Sequence, residues 1–115
     1  MPDIEHLLSR IREFSDERDW GQFHSPKNIS MALSVEASEL LEHVQWMSQD
    51  QSRNVSADKK AEVADEAADV FLYLLRLCDQ MDIDLLHAAD QKIDKNAIKY
   101  PIEKSKGQST KYDKL

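Results

Sequence analysis

A chain of 115 residues with 22 acidic and 15 basic side chains, a formal charge of −7, is one domain of modest core. Its acidic body excludes nucleic acid as a partner, because phosphate neutralisation needs a basic surface. No apolar stretch approaches the roughly 20 residues of a membrane span and no secretory core opens the chain, so no membrane partner and a cytoplasmic location are expected.

Only two glycines and three prolines interrupt a sequence rich in Ala, Leu, Glu, Asp and Lys, which predicts an all-α fold. The first helix is predicted from Asp3, a good N-cap, to about Glu17, with Ile4, Leu7, Leu8, Ile11 and Phe14 as its buried stripe. A loop dense in aromatics and amides follows from Arg18 to Asn28, and Pro26 suits the first turn of the next helix. That second helix is predicted to reach about Met47. Leu33, Ala37, Leu40, Val44 and Met47 form its core seam, and one position earlier runs a parallel stripe of Ala32, Glu36, Glu39, His43 and Trp46.

The third helix, after an Asp58 cap, repeats this design. Its seam is Val63, Ala67, Val70, Leu74, Leu77 and Met81, and its neighbouring stripe is Glu62, Glu66, Asp69 and Tyr73. In both helices the acids stand one residue, about 100°, from the seam. Two antiparallel helices packed on these seams bring the acids together at the edge, and the small Ala37, Ser38, Ala67 and Ala68 permit close approach.

Residues 70–78 are apolar on nearly every side, so a bundle of four to five helices is expected to be completed by oligomerisation, as a homodimer or homotetramer. Cys78, inside that run, reads as a small buried hydrophobe. A fourth helix is predicted from about Asp84 to Tyr100, stopped by Pro101. The helical domain is therefore taken as 1–101 and residues 102–115 as an extended, Lys-rich tail. Residues 91–115 carry seven Lys and three acids, or +4, against −11 for the preceding ninety. Such a tail is suited to supply counter-charge to a small polyphosphate, or simply to solubilise the chain.

The chemistry lies in two carboxylate pairs, Glu36–Glu39 and Glu66–Asp69. An i, i+3 spacing puts both members of a pair on one helix face, one turn apart. Like charges there repel, and beside apolar residues uncompensated charge is costly. Four converging carboxylates form an oxygen-only donor set suited to Mg²⁺ or Mn²⁺. The alternative, two solvated acidic faces, does not explain why both helices carry the acids at the same offset. Glu62 is read as solvated or as supporting a ligand, His43 as exposed or supporting, and His6 and His87 as surface residues.

Four linked motifs resemble a known family. Glu-x-x-Glu, 26 residues, then Glu-x-x-Asp is similar to the signature of the MazG-type all-α nucleoside triphosphate pyrophosphohydrolases. The run Glu17 to Asn28, Val44-Gln45-Trp46, Asp69-Val-Phe-Leu-Tyr73-Leu and the closing Lys92 to Pro101 resemble the dCTP pyrophosphatase branch. The resemblance implies hydrolysis of a nucleoside triphosphate to monophosphate and pyrophosphate, as house-cleaning of dCTP or modified pyrimidine dNTPs. It implies metal ligands at Glu36, Glu39, Glu66 and Asp69. It implies base and sugar contacts at Trp20, Gln22, Phe23, His24, Trp46 and Tyr73, and triphosphate contacts at Lys92, Asn96 and Lys99. One position departs from the branch: the animal dCTP enzymes have a His where Ile11 stands, and Ile offers no hydrogen bond to a base edge.

Two other readings fit the sequence less well. Carboxylate-bridged di-iron bundles use Glu-x-x-His pairs, which this chain lacks. A regulatory or adaptor bundle with a purely structural metal needs no loop packed with Trp, Gln, Phe, His and Asn beside the acids.

Overall fold

The computed structural model describes residues 2–115, and among them there is no strand. Six α-helices follow one another: α1 (Ile4–Glu17), α2 (Pro26–Glu42), α3 (Gln49–Arg53), α4 (Ala57–Gln80), α5 (Leu85–Lys99) and α6 (Ile102–Ser105), with 3₁₀ turns at Gly21–Phe23 and Tyr112–Lys114. The chain forms two compact units that meet in sequence between Asp82 and Ile83.

The starts of the helices are written in short polar side chains. Asp3, Ser25, Ser48, Ser56 and Asp84 each accept a hydrogen bond from the backbone N–H three residues on, which satisfies a donor that the first turn leaves unpaired. Pro26 occupies the first turn of α2, where a missing N–H costs nothing. The predicted Asp58 cap is displaced to Ser56.

Helix ends were harder to foresee. α2 stops at Glu42 rather than Met47, because residues 43–47 tighten into turns in which Val44 and Met47 donate to Leu41 and Val44. Ser48 then opens α3 with a reciprocal capping box to Gln51. The apolar spacing of Val44 and Met47 runs on through this turn and conceals it. In the second unit, the segment expected to be extended carries the single helical turn of α6 and a 3₁₀ turn.

In the first unit α4 packs on both α2 and α1. Its buried apolar residues are Ile29, Leu75 and Cys78, so Cys78 is the small buried hydrophobe expected. Ala37, Ala67 and Met81, expected in the seam, are exposed, whereas Glu36, Glu39 and Glu66 are part-buried. The other seam residues, Leu33, Leu40, Val44 and Met47 on the first seam and Val63, Val70, Leu74 and Leu77 on α4, are part-buried as expected, so the packed faces take in the seam and the neighbouring acids together.

Candidate active site

Opposed pairs fix the register of α2 on α4. Glu36 stands beside Glu66 and His43 beside Lys59 and Glu62, so the helices run antiparallel. α1 runs antiparallel to α4 as well, since Arg12 meets Asp79 and Ser15 meets Arg76.

This register brings one carboxylate oxygen from each of Glu36, Glu39 and Glu66 within 4.8 Å of one another. Oε2 of Glu36 and Oε1 of Glu66 are buried without any hydrogen-bond partner. Each is a lone pair withdrawn from water and unanswered by protein, a state that costs free energy unless something else fills it. The Glu36 carboxyl is raised above its ordinary value, first by the neighbouring Glu66 carboxyl, then by burial, with Asp69 adding to the effect. Hard oxygen donors, crowded negative charge and orphaned lone pairs fit a divalent cation such as Mg²⁺ or Mn²⁺. Asp69 lies outside the tight trio and lines the adjoining pocket. Glu62 turns away to Lys59 at 2.9 Å, which holds its carboxyl below the usual range, and His43 joins this pair rather than the trio.

The pocket, about 360 Å³, lies between α1, α4 and the 18–25 loop; its walls include Leu7, Ile11, Phe14, Trp20, Leu72 and Tyr73. The loop enters it through the end of α1. Trp20 N–H donates to Ser15 O and Asp19 N–H to Asp16 O, with Asp19 at φ 54°, the αL cap that reverses a chain at a helix end. The reversal folds Trp20 back edge-on to Phe14, ring centroids 5.6 Å apart, and places His24 edge-on to Trp20.

Of the residues named from sequence, Trp20, His24, Asp69 and Tyr73 line this pocket. Ile11 lines it too, at the position where the resembled branch carries a base-facing His. Gln22 is turned instead to Asp19, its amide donating to both the carbonyl and the carboxylate. Phe23 is exposed, and its carbonyl accepts from the Asn28 amide. Trp46 is 90% exposed, because the helix that would have carried it onto the acid stripe ends at Glu42. Lys92, Asn96 and Lys99 share one face of α5 in the second unit, all exposed; Lys99 lies over the Tyr112 ring.

Sequence reasoning missed the polar floor of the pocket. Arg76, 6% exposed, donates from Nε to His24 Nδ1 at 3.4 Å, from Nη2 to Ser15 Oγ at 3.3 Å and from Nη1 to Asp79 at 3.5 Å. Asp79 is also gripped by Arg12 through two bonds of 2.5 and 2.9 Å. That contact, more than any other, holds the Asp79 carboxyl below the usual range. Burial and then the Arg76 charge hold His24 below its ordinary value. The signal was present: Arg76 is the one charge inside the apolar 70–78 run, and an arginine so placed is either exposed or paired.

A model of the MazG-like family matches residues 31–115. The dCTP pyrophosphatase 1 of Rattus norvegicus is 36% identical over 116 residues, covering 99% of this chain and 68% of its own length; that of Homo sapiens is 35% identical over the same shares. The crystal structure of a pyrophosphatase from Archaeoglobus fulgidus superposes with a TM-score of 0.82 at 44% identity, covering 88% of this chain and 94% of that one. Helical architecture, paired acids and these likenesses agree: the chain belongs to the MazG-like family.

Proposed function

We propose that the protein hydrolyses deoxynucleoside triphosphates, dCTP and other pyrimidine dNTPs foremost, to monophosphate and pyrophosphate. The observation that carries this reading is the meeting of Glu36, Glu39 and Glu66 within 4.8 Å, with Asp69, one turn beyond Glu66 on α4, lining an aromatic pocket. The names of the relatives, two dCTP pyrophosphatases and a pyrophosphatase, support it. Glu36, Glu39, Glu66 and Asp69 would hold Mg²⁺ or Mn²⁺, which when bound supplies charge neutralisation for phosphate oxygens and a water of lowered pKa.

The rest is the work of the chain itself. Trp20 and Tyr73 offer the flat faces on which a base stacks, and the apolar walls exclude water from the base. With its base there, the nucleotide extends its phosphates toward the carboxylates at the Asp69 end. Lys92, Asn96 and Lys99, together on one face of α5, offer two cations and an amide, groups suited to bind phosphate. Trp46, so exposed, acts on substrate only where a second copy of the chain covers it. The setting proposed is cytoplasmic, and the working form a homodimer or homotetramer.

The test is pyrophosphate release from a panel of NTPs and dNTPs with Mg²⁺, with Mn²⁺ and with chelator. Release that is abolished by chelator and greatest for pyrimidine dNTPs is the expected result. A purine preference, or full activity in chelator, would overturn it.

A further inference from the structure

The loop of residues 18–25 leaves α1 at the Asp19 reversal and enters α2 at the Ser25 cap. Its hydrogen bonds run within the loop, to α1 or to α2: Arg18 to Phe14 O, Trp20 N–H to Ser15 O, the Gln22 amide to Asp19, and the Asn28 amide to Phe23 O. Among the described residues, one bond alone joins this loop to α4, from Arg76 Nε to Nδ1 of His24 at 3.4 Å. The His24 ring in turn meets Trp20 edge-on, ring centroids 6.1 Å apart. A continuous line of guanidinium, imidazole and indole therefore runs from α4 to the pocket wall.

The line is built to stay rigid at its α4 end. Arg76 is 6% exposed and Ser15 1%, and the guanidinium is held on its other nitrogens by Ser15 Oγ and by Asp79. Asp79 is itself fixed by Arg12 of α1. An arginine Nε carries a hydrogen and no lone pair, so His24 Nδ1 can only accept from it. Ser15 Oγ already accepts from Arg76, which leaves its hydroxyl proton free to point at the same Nδ1, 3.5 Å away. An imidazolium would set N–H against N–H here, so the bond needs a neutral ring. Burial and the Arg76 charge both keep it neutral.

Resting on the reading of the preceding subsection, we propose that Arg76 is a positioning residue of the nucleotide pocket: by hydrogen-bonding a neutral His24 it ties the 18–25 loop to α4 and so holds Trp20 as the wall on which the base stacks. A stacking wall reads the face of a base and not its edge. The effect of the tie is therefore alike for every triphosphate that the protein hydrolyses.

Three measurements test this. A two-bond ¹H–¹⁵N correlation spectrum of the unmodified protein near pH 7.5 should show His24 with an unprotonated Nδ1; a protonated Nδ1 overturns the proposal without any variant. Hydrogen exchange of the Trp20, Phe23 and His24 amides, each hydrogen-bonded in the structure, should be about tenfold faster in Arg76→Met, the weight of one polar contact. Exchange as slow as in the parent sinks the tie, with or without hydrolysis. In kinetics with Mg²⁺, Arg76→Met should raise KM by about tenfold and leave kcat within about twofold, because the carboxylates are untouched. Arg76→Lys, which keeps a donor and the charge, should restore part of the loss. His24→Phe breaks the same bond from the loop side, and adding Arg76→Met to it should change KM no further. A fall in kcat at unchanged KM, or KM increases that multiply in the double variant, overturns the proposal. His24→Phe alone carries the exchange and KM tests should Arg76→Met not fold. Absence of hydrolysis of every triphosphate by the unmodified protein with Mg²⁺ sinks the pyrophosphohydrolase reading, and this inference with it.

Discussion

A buried carboxylate oxygen with no donor near it is an unfinished structure, and Glu36 and Glu66 each contribute one. Glu36→Gln, Glu39→Gln, Glu66→Gln and Asp69→Asn keep side-chain shape while removing ligand charge. Each is expected to lower turnover by about 100-fold or more. In chelator the same variants should melt no earlier than the parent, and Glu36→Gln later, because repulsion within the trio falls. Near-normal turnover in two or more of them would show that the cation is held elsewhere. The base end is decided by single residues as well. Ile11→His puts an imidazole, with a nitrogen able to bond a base edge, on the pocket wall where Ile11 stands. It should shift relative catalytic efficiency toward dCTP by about tenfold, the weight of one base contact. No shift among dCTP, dTTP and dUTP would mean that position 11 does not face the base.

Between elements, the contact with the clearest physical signature is the clamp of α1 on α4. Arg12 reaches across to Asp79 in two bonds, and Asp79 also accepts from Arg76, one turn back on α4. The folded chain holds the Asp79 carboxyl below its ordinary value of 3.8. Its stabilisation is therefore fully present above that value and lost as pH falls through the lower folded one. Asp79→Asn, which strands a buried guanidinium, should cost about 1–3 kcal/mol at neutral pH. Urea melts at descending pH should show the gap between parent and variant closing below about pH 4; a gap constant from pH 7 to pH 3 would mean that the pair is not a stabilising one. The same clamp marks the limit of what the sequence made legible. Helix starts could be read because a cap is a local event: Asp3, Asp84 and Pro26 say where a turn begins whatever surrounds it. The acid pairs could be read because a spacing of three is local too. The end of α2, the part-burial of Glu36, Glu39 and Glu66 beside the seam and the Arg76 floor could not. Each depends on what lies across a helix interface, and one sequence read in windows of a few turns carries no record of it.

At the scale of the whole molecule, the question is what covers the apolar side chains that this chain leaves in water. Met31 and Val35, one turn apart on α2, are both more than half exposed, and Phe71 on the apolar stretch of α4 is 38% exposed. Ala64 and Ala68 lie in line with Phe71 and are exposed with it. Such stripes of small and apolar residues suit close helix–helix contact more than solvent. A second copy of the chain is the expected cover, in a homodimer or a dimer of dimers. A two-fold interface is self-complementary, so any substitution in it occurs twice, and near the axis the two changed residues face one another. Val35→Glu buries two new charges in the contact and leaves the fold of the single chain, where residue 35 is exposed, undisturbed. Light scattering at micromolar concentration should give a dimer or tetramer for the parent and a smaller species for Val35→Glu, with the helical circular dichroism of the two alike. A monodisperse parent monomer would mean that these stripes face water in the working protein. Trp46 could then meet substrate only if it lay at the pocket of its own chain, and its 90% exposure argues against that.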